Sequence, residues 1–387
     1  MPSTGHGFCG MHDAGMWRIK FKPFTTTASM ISTESFSKEW IVRRSEELGY
    51  NNKQLLEKVI RAFALLEMLV DAGAPVIFKG GSSLLLILKD TLNRLSIDVD
   101  VICPPGVDIR GYLKNLEEHG FLSIIPVRTE HGGKDLPASH FKSFYEVVFG
   151  GKDDEESFIR LDVLYEENPY SNTRLLPIDS PFFKLDGEPL QVRVPSKEDI
   201  LGDKMTAFGP NTLGIPYYKE DRSGQLRRCS LEIIKQLFDI SCLFNVVEDF
   251  KDAYASFRKV SEVELGYRKM EGQIDRYYED VRQSALCLTT RGQIGEGRFV
   301  EFQDGLMRIK GYMYQRNYYI EQAAVDAAKA AYLATSFQNG LVGIEKYDKA
   351  GDLHTLTIFD NMPKELQRMR RSLPEAFWYW AKTYELL

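Results

Sequence analysis

A glycine-serine turn and a pair of aspartates two residues apart constrain this chain more than any other feature. The stretch Phe78-Lys79-Gly80-Gly81-Ser82-Ser83 is followed by an apolar run and then by Arg94-Leu95-Ser96-Ile97-Asp98-Val99-Asp100-Val101. Side chains alternate along a strand, so Asp98 and Asp100 share one face while Ile97, Val99 and Val101 take the other. Two carboxylates that close raise each other's pKa unless a cation lies between them. Hard divalent ions favour carboxylate oxygens, and Mg²⁺ takes one or two of these plus substrate phosphates. Glycines let backbone N–H groups approach a phosphate, and a following helix adds its positive end. Gly80, Gly81, Ser82 and Ser83 are therefore nucleotide-binding candidates, and Asp98 and Asp100 are metal candidates. A metal half beside a phosphate half points to nucleotidyl transfer. The competing reading is a tight turn followed by a solvated strand face.

The layout strengthens the motif. Residues 75–78 are a short apolar run, as in a buried strand. Residues 82–92 are rich in Leu without a breaker and predict a helix, and residues 96–102 predict the next strand. Strand, turn, helix and strand then follow in the order the chemistry needs.

Three further residues are candidates, each with a plainer alternative. Asp162 lies in the apolar run Phe158-Ile159-Arg160-Leu161-Asp162-Val163-Leu164-Tyr165, where a charge needs a reason. It either completes a metal site or acts as base beside the Asp98 strand, or it pairs with Arg160. Lys204 is expected in the opening turns of a helix starting at Ser196-Lys197-Glu198-Asp199, where the macrodipole does not favour a lysine. It either faces a triphosphate or is an ordinary surface lysine. Asp239 stands four residues after Lys235 in a mostly apolar segment. It either forms a surface pair with Lys235 or orients Lys204 or a catalytic hydroxyl.

The remaining chain sets bounds. Its 387 residues allow two or three domains. No apolar stretch approaches the ~20 residues of a membrane span. Residues 1–35 read as a disordered lead without the pattern of a signal peptide. Five scattered cysteines (Cys9, Cys103, Cys229, Cys242, Cys287) favour free thiols in a reducing cytoplasm, and neither they nor the six histidines have zinc-ligand spacing. The net charge of −6 means that a nucleic-acid partner needs a local basic face. Basic clusters occur at Arg222, Arg227 and Arg228 and at Lys364, Arg368, Arg370 and Arg371.

Periodicity predicts helices over 51–72 and 111–119 and strands over 121–127, 143–149 and 157–165, with the turn between the last two running through Gly150-Gly151 and the acidic residues 153–156. After residue 195 the pattern becomes helical: 196–208, 230–244, 251–260, 263–288, 318–337 and 373–386, with a loop over 209–229 and an irregular stretch or small hairpin over 339–358. The fold class expected is α+β, a nucleotidyltransferase-like mixed sheet with flanking helices followed by a C-terminal helical domain. The division expected is 36–205 for the sheet domain and 206–387 for the helical one.

With these residues assembled, the chain resembles the AbiEii/AbiGii-type nucleotidyltransferase toxins of the DNA polymerase β-like nucleotidyltransferase superfamily. The resemblance covers roughly residues 50–250 and rests on four ordered motifs. These are Lys79-Gly80-Gly81-Ser82-Ser83-Leu84 with Arg94 to Asp100, the Asp162 strand, Glu198-Asp199-Ile200-Leu201-Gly202-Asp203-Lys204, and Lys235-Gln236-Leu237-Phe238-Asp239-Ile240. It implies a toxin of a toxin–antitoxin or phage-defence system that uses a nucleoside triphosphate and Mg²⁺. It also implies an RNA acceptor, the tRNA 3′ end in related toxins, and an antitoxin that is a winged-helix transcriptional regulator. The alternatives are transfer to a protein or small molecule, or a nucleotide-binding regulator without catalysis.

Overall fold

The computed structural model describes residues 30–127, 137–150, 158–221, 223–351, 353, 356 and 360–387. Cys9, Arg222 and the acidic residues 153–156 lie outside them, as do most of the expected lead and part of 339–358. The strands are β1 (Met30–Ile31), β2 (Ile77–Lys79), β3 (Val99–Cys103), β4 (Ser123–Val127), β5 (Ala138–Phe144), β6 (Phe158–Tyr165), β7 (Thr173–Pro177), β8 (Leu185–Asp186), β9 (Gln191–Pro195), β10 (Tyr218–Glu220) and β11 (Leu226–Arg228). The helices are α1 (Lys38–Glu47), α2 (Lys53–Asp71), α3 (Gly80–Ile87), α4 (Lys197–Met205), α5 (Ser230–Val246), α6 (Lys251–Tyr267), α7 (Ile274–Thr289), α8 (Phe299–Ile309), α9 (Ile320–Gln338), α10 (Lys364–Gln367), α11 (Met369–Ser372) and α12 (Pro374–Leu386).

Among the described residues the main sheet has seven strands in the order β4-β5-β6-β3-β2-β9-β7. The β3–β6 and β2–β9 pairs are parallel and the others antiparallel. This is the expected α+β class with a mixed sheet, flanking helices and a C-terminal helical region. Helix α2 packs on β3 and β6. It starts at Asn52, whose side chain accepts from the Leu55 N–H at 3.0 Å, and it ends before Gly73 at φ 75°. Its apolar residues meet Val99, Val101, Leu161 and Val163 in the core. The even-numbered side chains of β5 and β6 point the other way and stay half-buried or exposed. Among the described residues no helix is long and apolar enough to cross a membrane. Cys103, Cys229, Cys242 and Cys287 are free and buried.

Several boundaries differ from the sequence reading. The strand expected over 143–149 is β5, which ends at Phe144. Beyond it the Val148 and Phe149 amides donate to the buried Glu57 carboxylate of α2, each at 2.9 Å, rather than to a strand. The helix expected over 111–119 is a single 3₁₀ turn, Ile109–Tyr112, and Asn115 at φ 54° prevents continuation. The two helices expected over 251–260 and 263–288 are divided later, between Tyr267 and Ile274, where Lys269 and Gly272 adopt left-handed φ. The 209–229 loop contains the β10–β11 hairpin. Strands β7 and β9 and helix α8 have no counterpart in the sequence reading.

Candidate active site

The site is built where β2 turns into α3 against β3 and β6. Antiparallel register sets Lys79 opposite Asp100, and parallel register sets Asp100 opposite Asp162. One row of the sheet therefore carries Lys79, Asp100 and Asp162 on a common face. Asp98 precedes β3 by one residue, not within the strand as expected, and stands level with Arg160 one step before the Val99–Leu161 pair.

Gly80 has φ 76°, and a Cβ there would overlap the Asp100 carboxylate. Glycine is thus required both for the turn and for the approach of the carboxylate. A Cβ at Gly81 would lie 2.8 Å from Ser96 Oγ and 2.9 Å from Arg94 Nη2. Ser82 Oγ donates to the Asp98 carbonyl at 2.5 Å and Ser83 Oγ donates to the Gly80 carbonyl at 2.9 Å. Both serines are buried. In this structure the two hydroxyls fasten the turn, and Gly80 and Gly81 lie beside the Asp100 carboxylate and the Ser96 and Arg94 side chains respectively.

Asp162 has His140 as partner, not Arg160. His140 Nδ1 and Asp162 Oδ1 are 2.6 Å apart across the β5–β6 register, and this bond holds the His140 pKa above its ordinary value. Among the described residues Arg160 has no ion pair.

Lys204 and Asp239 come together from α4 and α5. Lys204 Nζ lies 3.0 Å from Asp239 Oδ2 and donates to Gln236 Oε1 at 2.9 Å. Lys204 lies in the last turn of α4, not its opening turns, so the helix dipole favours its charge. Neither is a surface residue: Asp239 is fully buried and Lys204 is 6% exposed. The partner of Asp239 that sequence reasoning missed is Arg94. Its Nε and Nη2 donate to Asp239 Oδ1 at 2.9 and 2.8 Å, and Nη2 also reaches Oδ2 at 2.8 Å. Lys235 faces elsewhere, with Nζ 3.5 Å above the Tyr312 ring.

A second, partly buried set braces the row. Lys79 Nζ pairs with Asp203 Oδ2 at 2.9 Å, and Tyr170 Oη donates to the same oxygen at 2.7 Å. Burial would raise the Asp203 pKa, but Lys79 and Tyr170 outweigh it and hold it below the usual value. Asp199 fixes the start of α4. It accepts from Ser171 and Asn172 amides at 2.8 and 2.9 Å, while its own N–H donates to the Ser196 Oγ cap at 3.0 Å.

The electrostatics of the row are unbalanced. Burial, then repulsion from Asp162 and Asp98, pushes the Asp100 pKa up to about 7, against the pull of Lys204 and Lys79. Burial also raises Asp98, with Lys235 and Arg160 opposing. Burial and Arg94 bring Lys235 down to about 8. Carboxylates held this way welcome added positive charge. Among the described residues no three His, Cys, Asp or Glu side chains form a ready-made metal cage.

The family model described as nucleotidyl transferase AbiEii toxin, type IV TA system, matches residues 64–309. Among solved structures, the nucleotidyltransferase toxin MenT4 of Mycobacterium tuberculosis is 12% identical with a TM-score of 0.50, over 89% of this chain and 99% of that one. JHP933 of Helicobacter pylori is 14% identical with a TM-score of 0.38, over 80% and 96% of the two chains. No curated protein sequence matches. The family match contains the Gly80 turn, the Asp98, Asp100 and Asp162 carboxylates and the Arg94–Asp239–Lys204 cluster together, and by it the chain belongs to the AbiEii nucleotidyl transferase toxins of type IV toxin–antitoxin systems.

Proposed function

We propose that this enzyme transfers a nucleoside monophosphate from a nucleoside triphosphate to an RNA acceptor, the 3′ end of a tRNA, with Mg²⁺ at Asp98, Asp100 and Asp162. The observation that carries the reading is the Asp100–Asp162 register pair set against the Gly80 turn. The donor set fits a hard divalent ion: it is all carboxylate oxygen, and repulsion from Asp162 and Asp98 adds to burial in raising the Asp100 pKa. Because the described residues form no closed cage, an ion here would need further ligands from the triphosphate. Bound there, Mg²⁺ would offset charge on the phosphates.

The chain's own residues divide the remaining work. Gly80 and Gly81 offer backbone to the triphosphate. Lys204, held by Asp239 and Gln236, supplies a fixed positive charge close to Asp100. Such positioning and charge stabilisation account for most of what phosphoryl-type transfer asks of a protein. Asp162 would accept the proton of the incoming hydroxyl. In this reading residues 36–205 form the nucleotidyltransferase domain and 206–387 a helical domain. The cognate antitoxin is a winged-helix transcriptional regulator, as the family resemblance suggests.

Incubation with each labelled triphosphate, total cellular RNA and Mg²⁺ tests the reading. Label is expected in the tRNA pool and lost on chelation. Label confined to protein or small molecules, or transfer unaffected by chelation, would sink it.

A further inference from the structure

The sheet does not stop at the carboxylates. On the same face of β5 and β6, successive register pairs are His140–Asp162, Lys142–Arg160 and Phe144–Phe158. The pairs are two residues apart along the strands, about 7 Å per step at ordinary strand rise. Ile125 of β4 extends the middle row beside Lys142 and is 51% exposed. Every other residue of this stretch of β6, Ile159, Leu161 and Val163, is buried on the α2 side. Among the described residues the face opposite α2 therefore stays half-buried or exposed, and its chemistry changes in order from carboxylate to cation to aromatic ring.

Two details make this more than an ordinary solvated strand. Lys142 and Arg160 are directly opposite like charges, an arrangement that costs stability unless something anionic lies across it. Among the described residues neither forms an ion pair, and Asp98, which stands level with Arg160 and feels its charge, is on the carboxylate row that the proposed metal would occupy. The two phenylalanine rings pack at a tilt of 57°, with centroids 5.6 Å apart, and Lys142 Nζ lies 4.1 Å over the Phe158 ring. Neither ring belongs to the hydrophobic core. Half-exposed aromatics on an open sheet flanked by cations are a means of holding single-stranded nucleic acid: bases stack on the rings, and the backbone follows the charges.

We propose that this strip, Phe144 and Phe158 followed by Lys142 and Arg160, seats the single-stranded 3′ end of the acceptor RNA and leads its terminal hydroxyl to the carboxylate row. The inference rests on the reading of the enzyme as an RNA nucleotidyltransferase and adds the acceptor's path. The occupant follows from charge and distance. The whole chain carries −6, so an anionic strand needs a local basic stretch, and this one begins one register step from Asp162. The incoming triphosphate has its own cation at Lys204, across the row.

Steady-state transfer to RNA decides it, with Lys142→Ala, Phe158→Ala and Phe158→Tyr beside wild type and with RNA and triphosphate varied separately. Lys142→Ala should raise KM for RNA and reduce the salt slope of RNA binding by about one. Phe158→Ala should raise KM for RNA by roughly tenfold or more through lost stacking. Phe158→Tyr should restore it. KM for triphosphate should stay at the wild-type value in all three, and matched thermal melts separate a binding defect from misfolding. If wild type labels RNA while Lys142→Ala and a folded Phe158→Ala keep wild-type KM for RNA, the strip does not seat the acceptor. A rise in KM for triphosphate alone would assign it to the nucleotide and overturn the proposal. If wild type labels no RNA at all, the failure lies in the functional reading itself.

Discussion

Arg94 and Asp239 form a solvent-excluded forked pair between the strand-turn motif and α5. The guanidinium is 1% exposed, the carboxylate fully buried, and the two residues are separated by 145 positions. The remaining guanidinium nitrogen, Nη1, donates to the Leu95 carbonyl at 2.9 Å, and the second Asp239 oxygen also receives Lys204. One carboxylate thus serves two cations, and through Arg94 it fixes the segment that leads into Asp98 and Asp100.

Removing that carboxylate should leave two buried positive charges without a partner. Asp239→Ala is expected to cost about 3–5 kcal/mol of stability, the scale for breaking a buried ion pair from one side. Urea unfolding checks this. A loss below about 1 kcal/mol would mean that solvent reaches the cluster.

Gly80→Ala is expected to act on the site more than on the fold. The added methyl overlaps the Asp100 carboxylate at a left-handed φ, so the carboxylate must move. Turnover should fall by two orders of magnitude or more, since displacements of about 1 Å can carry that penalty. Transfer assays and thermal melts on the same preparation separate the two effects. Wild-type turnover in a folded Gly80→Ala would remove the carboxylate from the reaction.

The sequence made legible what local pattern carries. Helix α2 is visible in its apolar spacing, its Asn52 cap and Gly73. The turn and paired aspartates are visible because their residue types and order are unusual together. Strands β7 and β9 were not legible, because five residues ending in proline carry too little periodicity. The pairing of Asp162 with His140 depends on a β5–β6 register that no local signal fixes. Arg94 lies inside the quoted motif, yet nothing nearby indicates that it reaches Asp239. The partners of the serine hydroxyls were not legible for a related reason. Nothing in Gly-Gly-Ser-Ser indicates that Ser82 reaches the Asp98 carbonyl and Ser83 the Gly80 carbonyl.

Lys204→Ala should lower turnover by about a hundredfold or more, the scale for losing one preorganised charge. Asp239→Asn should lower it as well, and the double variant should fall short of the sum, because in the proposed reading part of the effect of Asp239 runs through Lys204. Additive effects in the double variant would mean that the two residues work independently. Near-wild-type turnover in both single variants would make the cluster purely structural.

Asp100 links pH to stability and, in the proposed reading, both to the metal. Its pKa is about 7 in the folded chain against 3.8 for the ordinary carboxyl, so the fold binds this proton more tightly than the unfolded chain does. The stability it contributes is complete below about pH 4 and is lost as pH rises through about 7. Asp98 is shifted in the same direction. Relative to Asp100→Asn, the metal-free wild type should therefore lose melting temperature between pH 5 and pH 8, and the variant should gain most at pH 8. A divalent ion bound as proposed would compete with the proton for the same charge and stabilise the folded chain by mass action. Millimolar Mg²⁺ should then raise the wild-type Tm clearly at pH 8, less at pH 5, and much less in Asp100→Asn at either pH. Thermal melts over these combinations provide the check without any turnover. Equal Mg²⁺ shifts in wild type and variant would move the ion away from Asp100. Parallel pH profiles in the metal-free proteins would mean that the carboxylate row is already ionised and neutralised by Lys79 and Lys204 alone.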